Sequence, residues 1–296
     1  MKFFTTFLFL IFISISLNCA QQPEKWKKLK NDIQEIISNS EGTVAIAFED
    51  LVTGDTLFIN EKIVMHAAST MKTPVMIEVF KQANHGKFDI SDSLLIKNEF
   101  RSIVDNSLYS MNISEDSDDL IYKHLGKKMS IRDLVCQMIT VSSNLSTNIL
   151  IDLVDAKNVT KTMNEIGVYN IKVLRGVEDL KAYGRGLNNI TDAFDLLLVM
   201  KAIALKQVVS PRACEEMIEI LSQQVFRDKI PALLPPTVKI ANKGGSITEI
   251  DHDSAIIYLT PNHPYVLVVL TKGIKDHKKA QDLIAQISKL IYDSFL

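Results

Sequence analysis

In residues 24–41 the apolar positions are Trp26, Leu29, Ile33, Ile36 and Ile37, set three and four apart among charged residues. That spacing predicts an amphipathic helix with one stripe facing a core. The period then changes. Two short apolar runs, "GTVAIAFED" and "DTLFIN", flank Thr53-Gly54-Asp55, which predicts a β-hairpin. From Ser69 to about Phe226 the strand signal nearly vanishes. Val75, Met76, Val79, Phe80 and Ala83 share one helical face that ends near Gly86. Ser130 to Asp133 reads as a capping box, and Thr191 as the cap of a helix over 192–205. Ser210-Pro211 puts proline at the first position of another helix.

Strand patterns return after Pro235-Pro236, over 238–247, 254–260 and 265–273, and residues 279–295 are again helical. Strands at both ends with helices between them predict a mixed α/β fold. Its antiparallel sheet is built from both chain ends and flanked by helices. An all-helical part, 69–226, packs beside an α/β part made of 21–68 and 227–296, and together 21–296 form one catalytic domain. The cleft between the two parts is the natural site. Two stretches lack any period. Residues 102–119 are polar and acidic and read as a surface excursion. Residues 175–189 hold three glycines, a loop length that is functional or disordered in compact domains.

Composition narrows the function classes. The chain has 296 residues, 47% apolar and 23% charged, with a net charge of −2 and no basic stripe, which excludes nucleic acid as a partner. Lys2 and the 15-residue apolar run that follows, ending near Ala20, read as a secretory signal peptide cleaved after Ala20. The run is short for a bilayer span, so a periplasmic or secreted protein without stable membrane insertion is expected. Cys19 leaves a lipoprotein alternative. Cys136 and Cys214, each in a predicted helix, either pair or stay as free thiols. No CxxC, HExxH or phosphate-loop pattern occurs, so neither metal nor cofactor is expected. A monomer is the default.

Three short motifs carry candidate chemistry. Ser69 precedes Lys72 by three residues, and no other serine in the chain has lysine at that spacing. If a helix opens there, hydroxyl and ammonium share a face, and a neutral lysine can take the serine proton. The plainer alternative makes Ser69 an N-cap and Lys72 a solvated charge. Ser142 and Asn144 lie in "VSSNLSTN", which also reads as a polar turn capped by Ser142 or Asn144. Lys243, Gly244, Gly245 and Ser246 fall on a predicted strand, where glycines permit a close approach or merely a bend.

Taken in this order, Ser-x-x-Lys, Ser-x-Asn and Lys-x-Gly resemble the signature of penicillin-recognising serine enzymes. The mature chain is similar to a class A serine beta-lactamase, which implies a small-molecule beta-lactam substrate. The resemblance makes Ser69 the nucleophile, Lys72 its activator and Ser142 a proton donor to the lactam nitrogen. Lys243 would meet the substrate carboxylate, and Asn144 its acylamide side chain. Gly245 would let the strand approach, and the backbone N–H groups of Ser69 and Ser246 would form an oxyanion hole. Glu178, 36 residues beyond Ser142, falls where the family carries the base for deacylation, with Asp179 as rival. Ser143, Gly244 and Ala182 depart from the family pattern, and Arg175 lies three rather than two residues before Glu178. A serine peptidase or esterase of the same fold, or a slowly acylated sensor, are the alternatives.

Overall fold

The computed structural model describes residues 24–296; the leader, with Cys19 and Ala20, lies outside them. Five strands form one antiparallel sheet: β1 Thr43–Asp50, β2 Thr56–Ile59, β3 Lys239–Ile247, β4 Ile250–Thr260 and β5 His263–Lys272. Their order is β2-β1-β5-β4-β3, so the two chain ends meet at the β1–β5 pairing. The helices are α1 Glu24–Ser38, α2 Lys72–Asn84, α3 Ile131–Thr140, α4 Asn144–Val154, α5 Ala156–Glu165, α6 Leu180–Gly184, α7 Ala193–Ala204, α8 Pro211–Ser222 and α9 His277–Asp293.

Alternation along β1 divides the core. Val44, Ile46 and Phe48 pack with Trp26 and Ile33 of α1 and with Ile284 and Ile287 of α9. Ala45 and Ala47 belong to the opposite core, with the helical layer. A sheet covered on both faces explains why its strands read as nearly continuous apolar runs. α2 lies at the centre of the helical layer, with every residue from Lys72 to Phe80 buried. That includes Lys72, so the lysine is no solvated charge.

Three elements differ from the sequence expectation. β4 begins at Ile250 rather than 254, which takes Asp251, His252 and Asp253 into the sheet as fully buried residues. Polarity hides them as strand because their partners are also buried. Asp192, not Thr191, caps α7 by accepting from Asp195 N; Thr191 instead pairs with Met65 in a two-residue ribbon. Short ribbons also join Ser93–Leu95 to Lys128–Ser130 and Phe100–Arg101 to Leu108–Tyr109 within the helical part. Cys136 is half-buried and Cys214 buried, both as free thiols. Among the described residues no helix is long and apolar enough to cross a membrane.

Candidate active site

Ser69 sits inside a 3-10 turn, Ala68–Met71, that runs directly into α2. Neither the turn nor the helix has a side-chain cap, so Ser69 is not the N-cap that its residue type suggested. Ala68 is held at φ +46, a left-handed conformation that a residue with a Cβ adopts at a cost of roughly 1–2 kcal/mol. His66 Nδ1 supports it by accepting from Ala68 N at 3.0 Å. The first bond of the turn is Thr70 N to Ala67 O, which leaves the Ser69 N–H outside the helical ladder. Strand β3 passes so close that a Cβ on Gly245 would collide with Ser69 N and lie 3.0 Å from Ala68 Cβ. The second glycine of "NKGGS" is therefore a contact requirement, not a bend.

Lys72 Nζ donates to Ser142 O (2.7 Å), Ser142 Oγ (3.1 Å) and Asn144 Oδ1 (2.9 Å). Lys243 Nζ reaches the same hydroxyl, Ser142 Oγ, at 3.0 Å and also donates to Gly244 O. Ser142 Oγ thus lies between two buried lysines, and its own proton can pass only to one that is neutral. Burial pushes Lys72 down to about 7, against the opposing pull of Asp116. Burial and the neighbouring Lys72 hold Lys243 well below the ordinary lysine range. Ser142 itself is at φ +57. Ser143, the middle residue, is the cap of α4, accepting from Ser146 N, so neither Ser142 nor Asn144 holds that place.

The loop over 175–189 closes at its neck. Asn189 Oδ1 accepts from Leu174 N and Arg175 N, and the Arg175 guanidinium binds Leu187 O and Gly176 O. The offset of Arg175 leaves it serving the backbone of its own loop. Asn148 of α4 fixes Val177 through both its N–H and C=O, directly before Glu178. Asp179 accepts from Ser102 Oγ, Ile103 N and Ala182 N, a structural set that caps α6. Glu178 differs. Its Oε2 accepts from Asn112 N at 2.9 Å, while Oε1 is buried with no protein partner. Burial raises Glu178 above the usual carboxylate range, with Asp116 and Glu115 adding to the rise. Ala182 is buried and cannot offer a side-chain donor.

Two cavities of about 340 and 850 Å³ adjoin at Ser69, Glu115, Asn144 and Ser246. The larger brings Ser69 together with Lys72 and Glu178; the smaller adds Ser142, Lys243, Gly245 and Lys229. All eight residues singled out from the motifs and the loop therefore lie along one cleft. The sequence reading missed Lys229. It is 6% exposed, donates to Ser246 Oγ at 3.0 Å and lies 3.6 Å from Asp251 Oδ1. It comes from an irregular stretch before Pro235-Pro236 with no motif to mark it. Residues 102–119 are also more than an excursion: Asn112, Glu115 and Ser117 line the two cavities, and Asp116 binds the start of α4 at Asn144 N. Among the described residues no cluster of His, Cys, Asp and Glu could hold a metal ion.

The beta-lactamase enzyme family matches residues 28–295. The chain belongs to that family. It is thereby a hydrolase of beta-lactamase type, and the mixed sheet-and-helix fold is shared with solved relatives. The beta-lactamase BRO-1 of Moraxella catarrhalis is 25% identical over 235 residues, spanning 76% of this chain and 71% of that protein. A mutant of PBP-A, solved as an acyl-enzyme complex with penicillin G, superposes with a TM-score of 0.79 at 25% identity, covering 91% and 96% of the two chains. A beta-lactamase from Chitinophaga pinensis shares the fold at a TM-score of 0.81 and 20% identity, over 91% of this chain and 100% of that one.

Proposed function

We propose that this family member is a serine beta-lactamase working through an acyl-enzyme on Ser69. The observation that carries the reading is Ser142 Oγ, set 3.1 and 3.0 Å from the two lysines on the cleft that holds Ser69. Ser69 Oγ attacks the lactam carbonyl while its proton passes to neutral Lys72. The new oxyanion lies between the N–H groups of Ser69 and Ser246. As the C–N bond breaks, Ser142 gives its proton to the lactam nitrogen and is resupplied from a neighbouring lysine. Lys243 and Lys229 offer positive charge to the substrate carboxylate, and Asn144 lies beside the acylamide path. Glu178 then takes a proton from water, which attacks the ester and returns Ser69 with its hydrogen. The PBP-A complex with penicillin G supports an acyl-enzyme route, since that relative was captured in this state.

A second reading is a serine peptidase or esterase on the same fold. It is favoured by Ala182, whose burial leaves Glu178 without a side-chain partner for a hydrolytic water on that helix. The placement proposed is a monomer, periplasmic or secreted after loss of the leader. Purified protein mixed with a chromogenic cephalosporin is expected to consume many equivalents without added metal. Ser69→Ala should lower turnover by at least about 10⁴-fold. Consumption of a single equivalent would favour a sensor, no reaction with cephalosporin but hydrolysis of an acyl-peptide would favour the second reading, and full activity in Ser69→Ala would remove the nucleophile.

A further inference from the structure

The motif Ser142-x-Asn144 does not support itself. Ser142 is in a left-handed conformation, and the side chain of Ser143 secures only one amide of α4, that of Ser146, at 3.3 Å. Gln137 O accepts from Ser143 N, Thr147 donates to Ser143 O, and the two lysines reach Ser142 from the opposite side. A further set of contacts comes from residues 115–117. Asp116 Oδ1 accepts from Asn144 N at 2.8 Å and its Oδ2 from Leu145 N at 2.8 Å. Tyr122 OH donates to the same carboxylate at 3.1 Å and fixes its orientation. Ser117 Oγ lies 2.7 Å from Val141 O and 3.0 Å from Ser142 O, and Glu115 O accepts from Asn144 Nδ2 at 3.3 Å. Three consecutive residues thus grip the turn on its backbone N–H groups, its carbonyls and its asparagine side chain.

We propose that Asp116 is a positioning residue: with Ser117 it clamps the 142–144 turn so that Ser142 Oγ and Asn144 Oδ1 stay aimed at Lys72. A carboxylate bound to two N–H groups at a helix start is a strong anchor, because those groups have no helical partner and carry the positive end of the dipole. Its charge also acts on the site. Asp116 faces Lys72 through the turn, Glu178 along the cleft, and Asp118 and Tyr122 on its own segment. Its charge favours the protonated Lys72 and also raises Glu178. Removing that charge moves both groups the same way, toward ionisation at lower pH for the acid and deprotonation at lower pH for the lysine.

The clamp deepens the acyl-enzyme reading and rests on it for its kinetic arm, so one readout must need no substrate. Titration of Lys72 by carbon-13 NMR of the lysine side chains, assigned with Lys72→Met, is expected to give a lower midpoint in Asp116→Asn than in the unaltered protein. Stopped-flow acylation by a chromogenic cephalosporin, from about pH 5 to pH 9, should be about 10- to 100-fold slower in Asp116→Asn, with its acid limb moved to lower pH. Ser117→Ala keeps the charge and should slow acylation about threefold without moving the limb. An unchanged Lys72 midpoint in folded Asp116→Asn overturns the proposal, whether or not the protein acylates. If Asp116→Asn fails to fold, Ser117→Ala acylating at the unaltered rate overturns it. Lack of any Ser69-dependent acylation in the unaltered protein counts against the acyl-enzyme reading and leaves the NMR arm to decide the clamp.

Discussion

The two sides of the cleft are held in different proportions by local and distant contacts. The Ser69 corner takes its shape close at hand, from His66, Ala67, Ala68 and Thr70, and is then anchored from far along the chain by Asn189 O on Ala67 N, by His252 on His66 O and by the close approach of β3. The Ser142 turn is held from 25 to 29 residues upstream by a segment without secondary-structure period, and from the far end of the chain by Lys243. Both corners sit at positive φ, at Ala68 and Ser142, and Glu178 makes a third. Strain of this kind persists only where neighbours over-determine it. The Ser69 turn is shaped by sequence-local residues and only anchored from afar, while the Ser142 turn depends on distant residues for its side-chain contacts as well.

The contrast can be broken first at the local corner. Gly245→Ala puts a methyl group onto Ser69 N and Ala68 Cβ, which displaces either the strand or the turn. Acylation is expected to fall about 10²- to 10³-fold, the scale of losing an oxyanion donor. A rate within about threefold of the original would mean that β3 has slack at this point. The loop offers a second cut, because adjacent carboxylates do different jobs. Glu178→Gln should retain the melting temperature and let the acylated protein build up in intact-mass spectra. Asp179→Ala removes the acceptor of three donors at once and should destabilise by about 2–4 kcal/mol, read in a denaturant melt. If Asp179→Ala alone trapped the adduct, the assignment of the two acids would be reversed.

The smallest effect sharpens the electrostatic side of the comparison. Lys72 keeps its ordinary value of 10.5 in the unfolded chain, and burial brings it to about 7 in the fold. Between those values the unfolded chain binds more protons, so Lys72 makes stability rise with pH across that window. Lys72→Met should therefore melt with a flatter dependence on pH, the difference from the unaltered protein shrinking by about a few degrees from neutral to alkaline pH. Parallel melting curves for the two proteins would show that Lys72 holds its proton when folded.

Much of the molecule is legible in its residues because packing imposes a period. The apolar face of 75–83, the cap at Ser130 and the proline at the start of α8 all appear where their spacing puts them. The motif residues were legible as well, since their chemistry demands particular side chains at short intervals. Asp251, His252 and Asp253 were hidden because polarity argues against a buried strand until partners such as Lys229 and Asn242 are in view. By itself the sequence determined the layered fold and the order of its elements, and it singled out the serines and lysines that line the cleft. Only the tertiary structure decided that Ser142 lies between two lysines, that Glu178 rather than Asp179 keeps an oxygen without a protein partner, and that a polar stretch at 115–117 grips the Ser142 turn. Those outcomes depend on long-range hydrogen bonds, which join ordinary polar residues across the fold and leave no periodic trace along the chain.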